Sequence, residues 1–288
     1  MDYLKINFEA MRFGPMRPTF DALERTFRKF NIDFYLIGAF ARDLWLNHLE
    51  VLPERRTTLD VDFCVYIKSQ QDFHALKLHL SQEEKFIADD EPYRMHAPDQ
   101  TIIDLIPFGG IEQGHSVYLD GNPPMELSVF GNLQVLEHAE EIYLNDQTFK
   151  VCTLPGLCIL KLIASHEKPE RLEKDLGDFY YILDNYFEIA ADTLYNGNHD
   201  DLIDNDFDPH VAAAKVLGRQ LLPILKESSA LATLFKRILN KLLGRFNAGE
   251  IDEMYVYEPN DLQIKRLKLI SSLLGEIDGS VESFTGKN

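Results

Sequence analysis

Residues 59–67 read LDVDFCVYI, and in this stretch apolar and polar side chains alternate. The apolar positions are Leu59, Val61, Phe63, Val65 and Ile67. Because successive side chains of a β-strand point to opposite faces of a sheet, this period of two predicts a strand with one buried face. Asp60 and Asp62 then lie side by side on the other face. We therefore predict a strand over 59–67 that carries two adjacent carboxylates.

Two carboxylates held this close favour a bound cation, because their like charges repel each other. Mg²⁺ is the usual partner, since it prefers carboxylate oxygens and shares its ligand shell with phosphates. A third carboxylate, Asp104, lies in the apolar run TIIDLIP (101–107), which predicts a neighbouring strand. A buried charge without a partner is costly, so Asp104 is expected beside the same cation. The alternative is a solvated strand face at Asp60 and Asp62, with Asp104 paired to a nearby arginine.

A glycine turn precedes the acidic strand along the chain. Residues 33–38 (DFYLIG) form a short apolar run that ends at Gly38, and a helical rhythm follows over residues 39–49. Backbone N–H groups at such a helix start receive phosphate oxygens readily. The segment Arg56-Thr57-Thr58 lies between this turn and Asp60 and supplies a cation and hydroxyl groups. The arrangement predicts a phosphate site next to the carboxylates.

The two halves of the chain differ in their predicted secondary structure. Strand signals continue, more weakly, as far as Val151. After Val151 the pattern is almost wholly helical, with a break at Lys168-Pro169 and a long helix to about Phe187. We predict an α+β protein. An α/β domain over residues 1–150 has a mixed sheet flanked by helices, and a helical domain over 151–288 closes the active-site cleft.

The helix after Pro169 carries charged residues on one arc and an apolar stripe on the other. The charged arc comprises Arg171, Lys174, Asp175 and Asp178. One interpretation is a solvated face with an ion pair between Lys174 and Asp178, four residues apart. The other is a face that binds a ligand. Lys161 interrupts the preceding apolar helix and either reaches a phosphate or extends to the surface.

The charge balance narrows the range of partners. The 288 residues include 47 acidic and 29 basic ones, for a formal net charge of −18, which disfavours an extended contact with nucleic acid. No DNA partner is expected, although a basic run over residues 215–245 keeps an RNA contact open. The N-terminus lacks the apolar stretch of an export signal, and no apolar run is long enough to cross a bilayer. We expect a cytoplasmic protein without a membrane partner.

The order of these motifs carries a family resemblance. Gly38-Ala39, Arg42-Asp43, Arg56-x-Thr58-x-Asp60-x-Asp62 and then Asp104 resemble the nucleotidyltransferase superfamily, which includes polymerase beta, tRNA CCA-adding enzymes and small antibiotic nucleotidyltransferases. Residues 174–178 (KDLGD), after 160–164 (LKLIA), are similar to the KDxxD segment of the nucleotidyltransferase-like toxins of abortive-infection and toxin–antitoxin systems. The resemblance covers about residues 34–185.

The resemblance implies a nucleotidyltransferase-fold domain and a Mg²⁺-dependent transfer of a nucleoside monophosphate from an NTP to an acceptor hydroxyl. It also implies that Asp60 and Asp62 hold two Mg²⁺ ions and the triphosphate. Asp104 would complete the second metal site and help to activate the hydroxyl. Contacts with the nucleotide would come from Gly38, Ala39, Arg42, Arg56, Thr58, Lys161, Lys174, Asp175 and Asp178.

Ala39 departs from the family pattern, in which the glycine is followed by serine or by a second glycine. Ala39 lacks a hydroxyl, but a phosphate contact through the backbone alone would remain. The alternative to an enzyme is a catalytically silent member that binds nucleotide or a protein partner. The acceptor stays open between RNA such as tRNA, a protein side chain and a small molecule. A toxin would have an antitoxin partner, encoded directly upstream.

Overall fold

Among the described residues, an eight-stranded mixed sheet organises the first half of the chain. The computed structural model describes residues 4–6, 16–46, 60–121, 123–144, 147–196, 198–247 and 260–285. The strands, in chain order, are β1 (Leu4–Ile6), β2 (Phe34–Ile37), β3 (Asp60–Tyr66), β4 (Ile87–Ala88), β5 (Arg94–His96), β6 (Ile102–Phe108), β7 (Ser116–Leu119), β8 (Met125–Ser128), β9 (Glu140–Leu144) and β10 (Gln147–Val151). β7 and β8 form a separate hairpin outside the large sheet.

The acidic strand β3 lies near the middle of the sheet, whose strand order is β1-β9-β10-β2-β3-β6-β5-β4. β3 pairs antiparallel with β2 on one side and parallel with β6 on the other. β6 pairs antiparallel with β5 on its far side. The sheet is therefore mixed, as the sequence predicts. Both neighbours of β3 fix its register, so the positions of its side chains are well defined.

The apolar face of β3 packs under the first helix, α1 (Arg17–Phe30). The ring centroid of Phe63 lies 5.7 Å from that of Phe20 and 5.9 Å from that of Phe27. All three phenylalanines are fully buried. Because this face of β3 is covered by α1, the aspartates that alternate with Phe63 belong to the opposite face of the sheet.

The described part of the first half contains three further α-helices: α2 (Gly38–Leu46), α3 (Gln70–Gln82) and α4 (Asn132–Glu137). α2 begins directly after β2, as the glycine turn predicts; residues 47–49 of the expected helix lie outside the described residues. The sole tryptophan of the sequence, Trp45, lies on α2. Its indole Nε1 donates a hydrogen bond to the carbonyl oxygen of Cys152, at 2.8 Å, and so ties α2 to the residue after β10.

Helices are the only regular secondary structure among the described residues of the second half of the chain. Its α-helices are α5 (Leu154–Glu167), α6 (Leu172–Asp184), α7 (Tyr186–Tyr195), α8 (Pro209–Lys226), α9 (Ser229–Asn247) and α10 (Asp261–Thr285). The chain divides into two compact units, residues 1–153 and 154–288, here called the sheet unit and the helical unit. The two domains expected on either side of residue 150 stay a prediction.

The prediction of a single long helix that runs to about Phe187 is wrong. α6 ends at Asp184, and α7 begins at Tyr186. Between them Asn185 leaves the helical region, with φ −108° and ψ 10°. Its side-chain amide donates to the carbonyl oxygen of Tyr181, at 2.8 Å. Asparagine bonds readily to nearby backbone groups in this way, which favours a helix end over continued helix.

The apolar segments of the sequence pack into the two cores. The three cysteines, Cys64, Cys152 and Cys158, are buried and free. Burial raises the pKa of the Cys64 and Cys158 thiols, so these side chains act as inert core residues. None of the described helices combines the length and the apolar character that a bilayer-spanning helix needs.

Candidate active site

The register of the sheet brings the three predicted aspartates onto neighbouring strands. Asp62 on β3 is the direct partner of Asp104 on β6, and Asp60 lies two residues before Asp62 on the same face. Asp60 and Asp62 are half-buried, whereas Asp104 is buried. Adjacent strands are separated by about 4.8 Å, so the three carboxylates, here called the acidic cluster, occupy one patch of the sheet.

Gly38 lies against this cluster, at the point where β2 becomes α2. It directly follows Ile37, which is the partner of Asp62 across β2 and β3. Gly38 has φ +71°, and a Cβ added there would overlap Oδ2 of Asp62. Glycine is therefore required twice, by the backbone conformation and by the close approach of the carboxylate. The carboxylate also lies at the positive end of the α2 dipole.

Arg94 is the member of the site that the sequence analysis missed. It lies on β5 directly opposite Asp104. Its Nε donates to Oδ1 of Asp104 at 2.7 Å, and its Nη2 donates to Oδ2 at 2.8 Å. These hydrogen bonds raise the pKa of Arg94 above its ordinary value, against the effect of burial, and the charges of Asp104 and Asp60 act in the same direction. The arginine partner that was the alternative for Asp104 is thus present beside the acidic cluster.

The acidic cluster fits a divalent cation in part. Asp60 and Asp62 offer carboxylate oxygens from adjacent positions of one strand, which is the donor type that Mg²⁺ prefers. Asp104 directs both oxygens to Arg94. Across the described ranges, no group of three or more His, Cys, Asp or Glu side chains is arranged to hold a metal ion. The arrangement suits an ion held by Asp60 and Asp62, with Asp104 beside it.

The other residues predicted near the phosphate have different positions. Ala39 lies in the first turn of α2 and is half-buried. Arg42 is buried, and its Nε and Nη2 donate to Oδ1 of the adjacent Asp43, at 2.8 and 2.6 Å. Arg56 and Thr58 lie outside the described residues.

In the helical unit, Lys161 on α5 contacts two aspartates of α6. Its Nζ lies 2.9 Å from Oδ1 of Asp175 and 2.8 Å from Oδ2 of Asp178. Arg171 Nε lies 3.3 Å from the second oxygen of Asp175. These four residues are here called the lysine cluster. Burial alone would lower the pKa of Lys161, but the two carboxylates outweigh it and hold that pKa above its ordinary value.

The lysine cluster corrects two of the interpretations made from sequence. Asp175 is fully buried and Asp178 nearly so, so they belong to the core side of α6 and not to a solvated face. Lys161 is buried as well and does not extend to the surface. The predicted pair between Lys174 and Asp178 is wrong: Asp178 faces Lys161, and Lys174 is exposed. Residues three apart share one helix face, which lets both aspartates meet one lysine.

Part of the predicted basic surface of the helical unit is paired with acidic residues within the unit. Arg219 on α8 bonds to Asp201 and, at 3.0 Å, to Glu276. Ion pairs on the two following helices have the same effect: Lys236 with Asp278 at 2.7 Å, Arg266 with Asp184 at 2.6 Å and Lys268 with Asp208 at 2.7 Å. Asp201 and Asp208, which precede α8, thus supply two of these counter-charges.

Comparisons with known proteins agree with the family resemblance. A family model described as nucleotidyl transferase AbiEii toxin, type IV TA system, matches residues 21–254. No curated protein matches the chain. The solved structures similar to it include the antibiotic-resistance factor ANT(2'')-Ia, at 11% identity and a TM-score of 0.39, with 78% of this chain and 96% of that chain covered.

Two further solved structures are more weakly similar. The Bradyrhizobium diazoefficiens CD-NTase CdnG in complex with GTP has 10% identity and a TM-score of 0.30, with 96% of this chain and 89% of that chain covered. A tRNA-processing enzyme has 13% identity and a TM-score of 0.24, with 94% and 91% covered. At these identities and TM-scores, the likenesses say nothing about substrate.

Proposed function

Since this chain belongs to the AbiEii nucleotidyltransferase toxin family, we propose that it carries out its nucleotidyl transfer at the acidic cluster of the sheet unit. The family gives the coarse activity: the chain is an NTP-dependent nucleotidyltransferase that transfers a nucleoside monophosphate, with the role of a toxin. The site, the metal and the acceptor are the parts that we propose.

One observation supports this site above all others. Asp62 and Asp104 are direct partners across β3 and β6, and Asp62 lies against Gly38 at the start of α2. Carboxylates that bind a cation and backbone N–H groups that receive phosphate oxygens are thus adjacent. A triphosphate with its cation needs both kinds of contact within a few ångströms. The sheet unit supplies both at one edge of the acidic cluster.

A divalent cation, Mg²⁺ by preference, is proposed to be held by Asp60 and Asp62. When bound, the ion neutralises charge on the phosphate oxygens during displacement at phosphorus. Asp104 is proposed to accept the proton of the attacking hydroxyl or to orient that group. Gly38 and Ala39 are proposed to bind phosphate through backbone N–H groups, a contact that does not need the missing hydroxyl at position 39. This favours activity over the catalytically silent alternative.

The helical residues have separate proposed roles. Lys174 is exposed, so its ammonium group is available to a triphosphate. Lys161 is ion-paired with both Asp175 and Asp178, and we propose that the lysine cluster fixes the shape of the helical unit before any ligand binds. Closure of this unit over the nucleotide stays a prediction. The contacts of Arg42, Arg56 and Thr58 with the nucleotide also stay predictions. The same holds for the binding of two Mg²⁺ ions and for a cytoplasmic site of action.

The acceptor is proposed to carry a hydroxyl and is left open between RNA such as tRNA, a protein side chain and a small molecule. An antitoxin is proposed as the protein partner, in keeping with the toxin role of the family. The ion pairing of the basic helices reduces the support for an extended RNA contact on the helical unit.

Labelled transfer tests the proposal. The purified protein is incubated with Mg²⁺ and each of four α-³²P-labelled NTPs, together with tRNA, total protein or an aminoglycoside. We expect label on one acceptor class with the wild type, and no label with Asp62→Asn. The matched control is Asp90→Asn, which removes the same charge from an exposed loop position of the sheet unit. A folded wild-type protein that labels none of the three acceptors would contradict the proposed function.

A further inference from the structure

Arg94 and Asp62 flank Asp104 on its two sides. β6 lies between β3 and β5, and Asp104 is the direct partner of Asp62 on one strand and of Arg94 on the other. The carboxylate of Asp104 is turned to Arg94, which binds both of its oxygens. A bidentate pair between a planar guanidinium and a carboxylate is directional and charge-assisted, and it is among the stronger polar contacts in proteins.

Arg94 occupies the place at Asp104 that a second cation would need. Its guanidinium binds both oxygens of that carboxylate. A second ion at Asp104 would have to bind oxygens that already face a guanidinium, so two cations would share one carboxylate at close range. Like charges at such separations repel strongly in a partly desolvated site.

We infer that Arg94 takes the place of a second metal ion, so that this chain binds one divalent cation, at Asp60 and Asp62, while Asp104 is positioned by Arg94. The inference rests on the proposed function, because it concerns the same site. Arg94 is on this account a positioning residue: it holds the Asp104 carboxylate at the level of Asp62 and fixes the number of ions.

The opposite arrangement makes a different prediction. If Arg94 released Asp104 when nucleotide binds, three carboxylates would be available and two ions would bind. The side chain of Asp104 is only 8% exposed and that of Arg94 is 27% exposed, so the separation would leave a buried carboxylate without its cation until a second ion arrived. Breaking a buried pair in this way is unfavourable. The number of bound ions therefore distinguishes the two arrangements.

Electron paramagnetic resonance with Mn²⁺ as the probe counts the ions. The full chain is loaded with Mn²⁺ and α,β-methylene analogues of the four NTPs, which resist transfer. Two ions in one site lie roughly 3.5–4 Å apart and give a spin-coupled pair signal. We expect bound Mn²⁺ without this signal in the wild type. A coupled pair in the wild type would overturn the inference but leave the proposed function supported.

Variants make the count specific to this site. The Asp60→Asn/Asp62→Asn protein defines the background from ions bound elsewhere on the acidic surface. If wild-type binding does not exceed that background, both the proposed function and the inference fail. Asp104→Asn is expected to keep the single uncoupled ion; loss of bound Mn²⁺ in this variant would make Asp104 a ligand and overturn the inference. The folded Arg94→Met protein is expected to show the signal of a spin-coupled Mn²⁺ pair. An unchanged spectrum from this folded variant would also count against the inference.

Discussion

The acidic cluster and the lysine cluster are built from the same residue types but differ in balance and exposure. The acidic cluster sets three carboxylates against Arg94, and two of the three are half-buried. The lysine cluster sets two buried carboxylates against Lys161 and Arg171. Two carboxylates of the first are partly open to solvent. Those of the second are buried against basic groups of the same unit, so we expect them to serve packing within the helical unit.

Residues of both clusters resemble family motifs, but their side chains differ in exposure to solvent. Asp175 and Asp178 fit the KDxxD pattern of the toxins, yet both are buried against Lys161. Asp60 and Asp62 fit their pattern and also remain half-exposed. We therefore expect substitutions in the acidic cluster to act on catalysis and substitutions in the lysine cluster to act on stability.

The largest expected effect is that of Asp62→Asn on transfer. Removal of one cation ligand should reduce the rate by about a thousand-fold, equivalent to about 4 kcal/mol. The melting temperature should hold or rise, because two adjacent like charges become one. Single-turnover transfer and thermal melting measure the two quantities. A variant that loses stability and keeps its activity would reverse the assignment of the two clusters.

Lys161→Met should have the next largest effect, on stability. It removes the lysine that pairs with the buried Asp175 and Asp178, and removal of one partner of a buried pair costs about 3 kcal/mol or more. For a unit of this size the melting temperature should fall by roughly 10 °C. The matched control is Lys174→Met, which changes an exposed lysine and should alter stability by no more than about 0.5 kcal/mol.

The double variant Lys161→Met/Asp178→Leu sharpens this test. It removes one positive and one negative charge and leaves Arg171 with Asp175. A buried ion pair replaced by apolar side chains of similar volume is often close to neutral. The double variant should therefore be more stable than Lys161→Met alone. If the changes in the free energy of unfolding from the two single substitutions simply add, the side chains of Lys161 and Asp178 do not interact as described.

Gly38→Ala should have an intermediate effect at the acidic cluster. The alanine would have to adopt φ +71° and would overlap Asp62, so the carboxylate must move. The backbone strain costs about 1–3 kcal/mol. Gly114 provides a matched control, because it has φ +69° with no atom within 4 Å of an added Cβ. Gly38→Ala should lose at least as much stability as Gly114→Ala, and only Gly38→Ala should weaken Mn²⁺ binding.

The smallest expected effect is the acid sensitivity of an exposed pair. The hydrogen bond from Lys268 lowers the pKa of Asp208, as do the backbone N–H groups of Val211 and His210. A lowered folded-state pKa means that the unfolded chain binds protons more readily, so stability falls as the pH drops below about 4. For so exposed a pair the contribution is a few tenths of a kcal/mol. Melting at pH 5 and pH 3 should show a smaller loss for Lys268→Met than for the wild type.

Local sequence pattern predicts the parts of this molecule that depend on one element at a time. Alternation over residues 59–67 predicts both the strand and the face that carries Asp60 and Asp62, and the register confirms Asp104 as a neighbour. The helical second half follows from its apolar periodicity in the same way. The sheet unit and its mixed sheet were therefore predictable.

Contacts between elements were not predictable from one sequence. The pair between Arg94 and Asp104 depends on the register of β5 against β6, which the intervening turn sets. The pair between Lys161 and Asp178 depends on how α5 and α6 rotate against each other. The sequence pattern predicts charged residues on one arc of α6. It does not show whether the neighbouring helix carries a residue that forms an ion pair with them. Only the tertiary packing decides that.

The position of Trp45 gives the sheet unit an optical signal of its own. Excitation at wavelengths that only indole absorbs reports on α2 and its contact with Cys152, and the helical unit contributes no emission because it contains no tryptophan. The same helix begins at Gly38, seven residues earlier. Fluorescence from the native chain can therefore follow ligand titration at the start of α2 and melting of the sheet unit without any attached label.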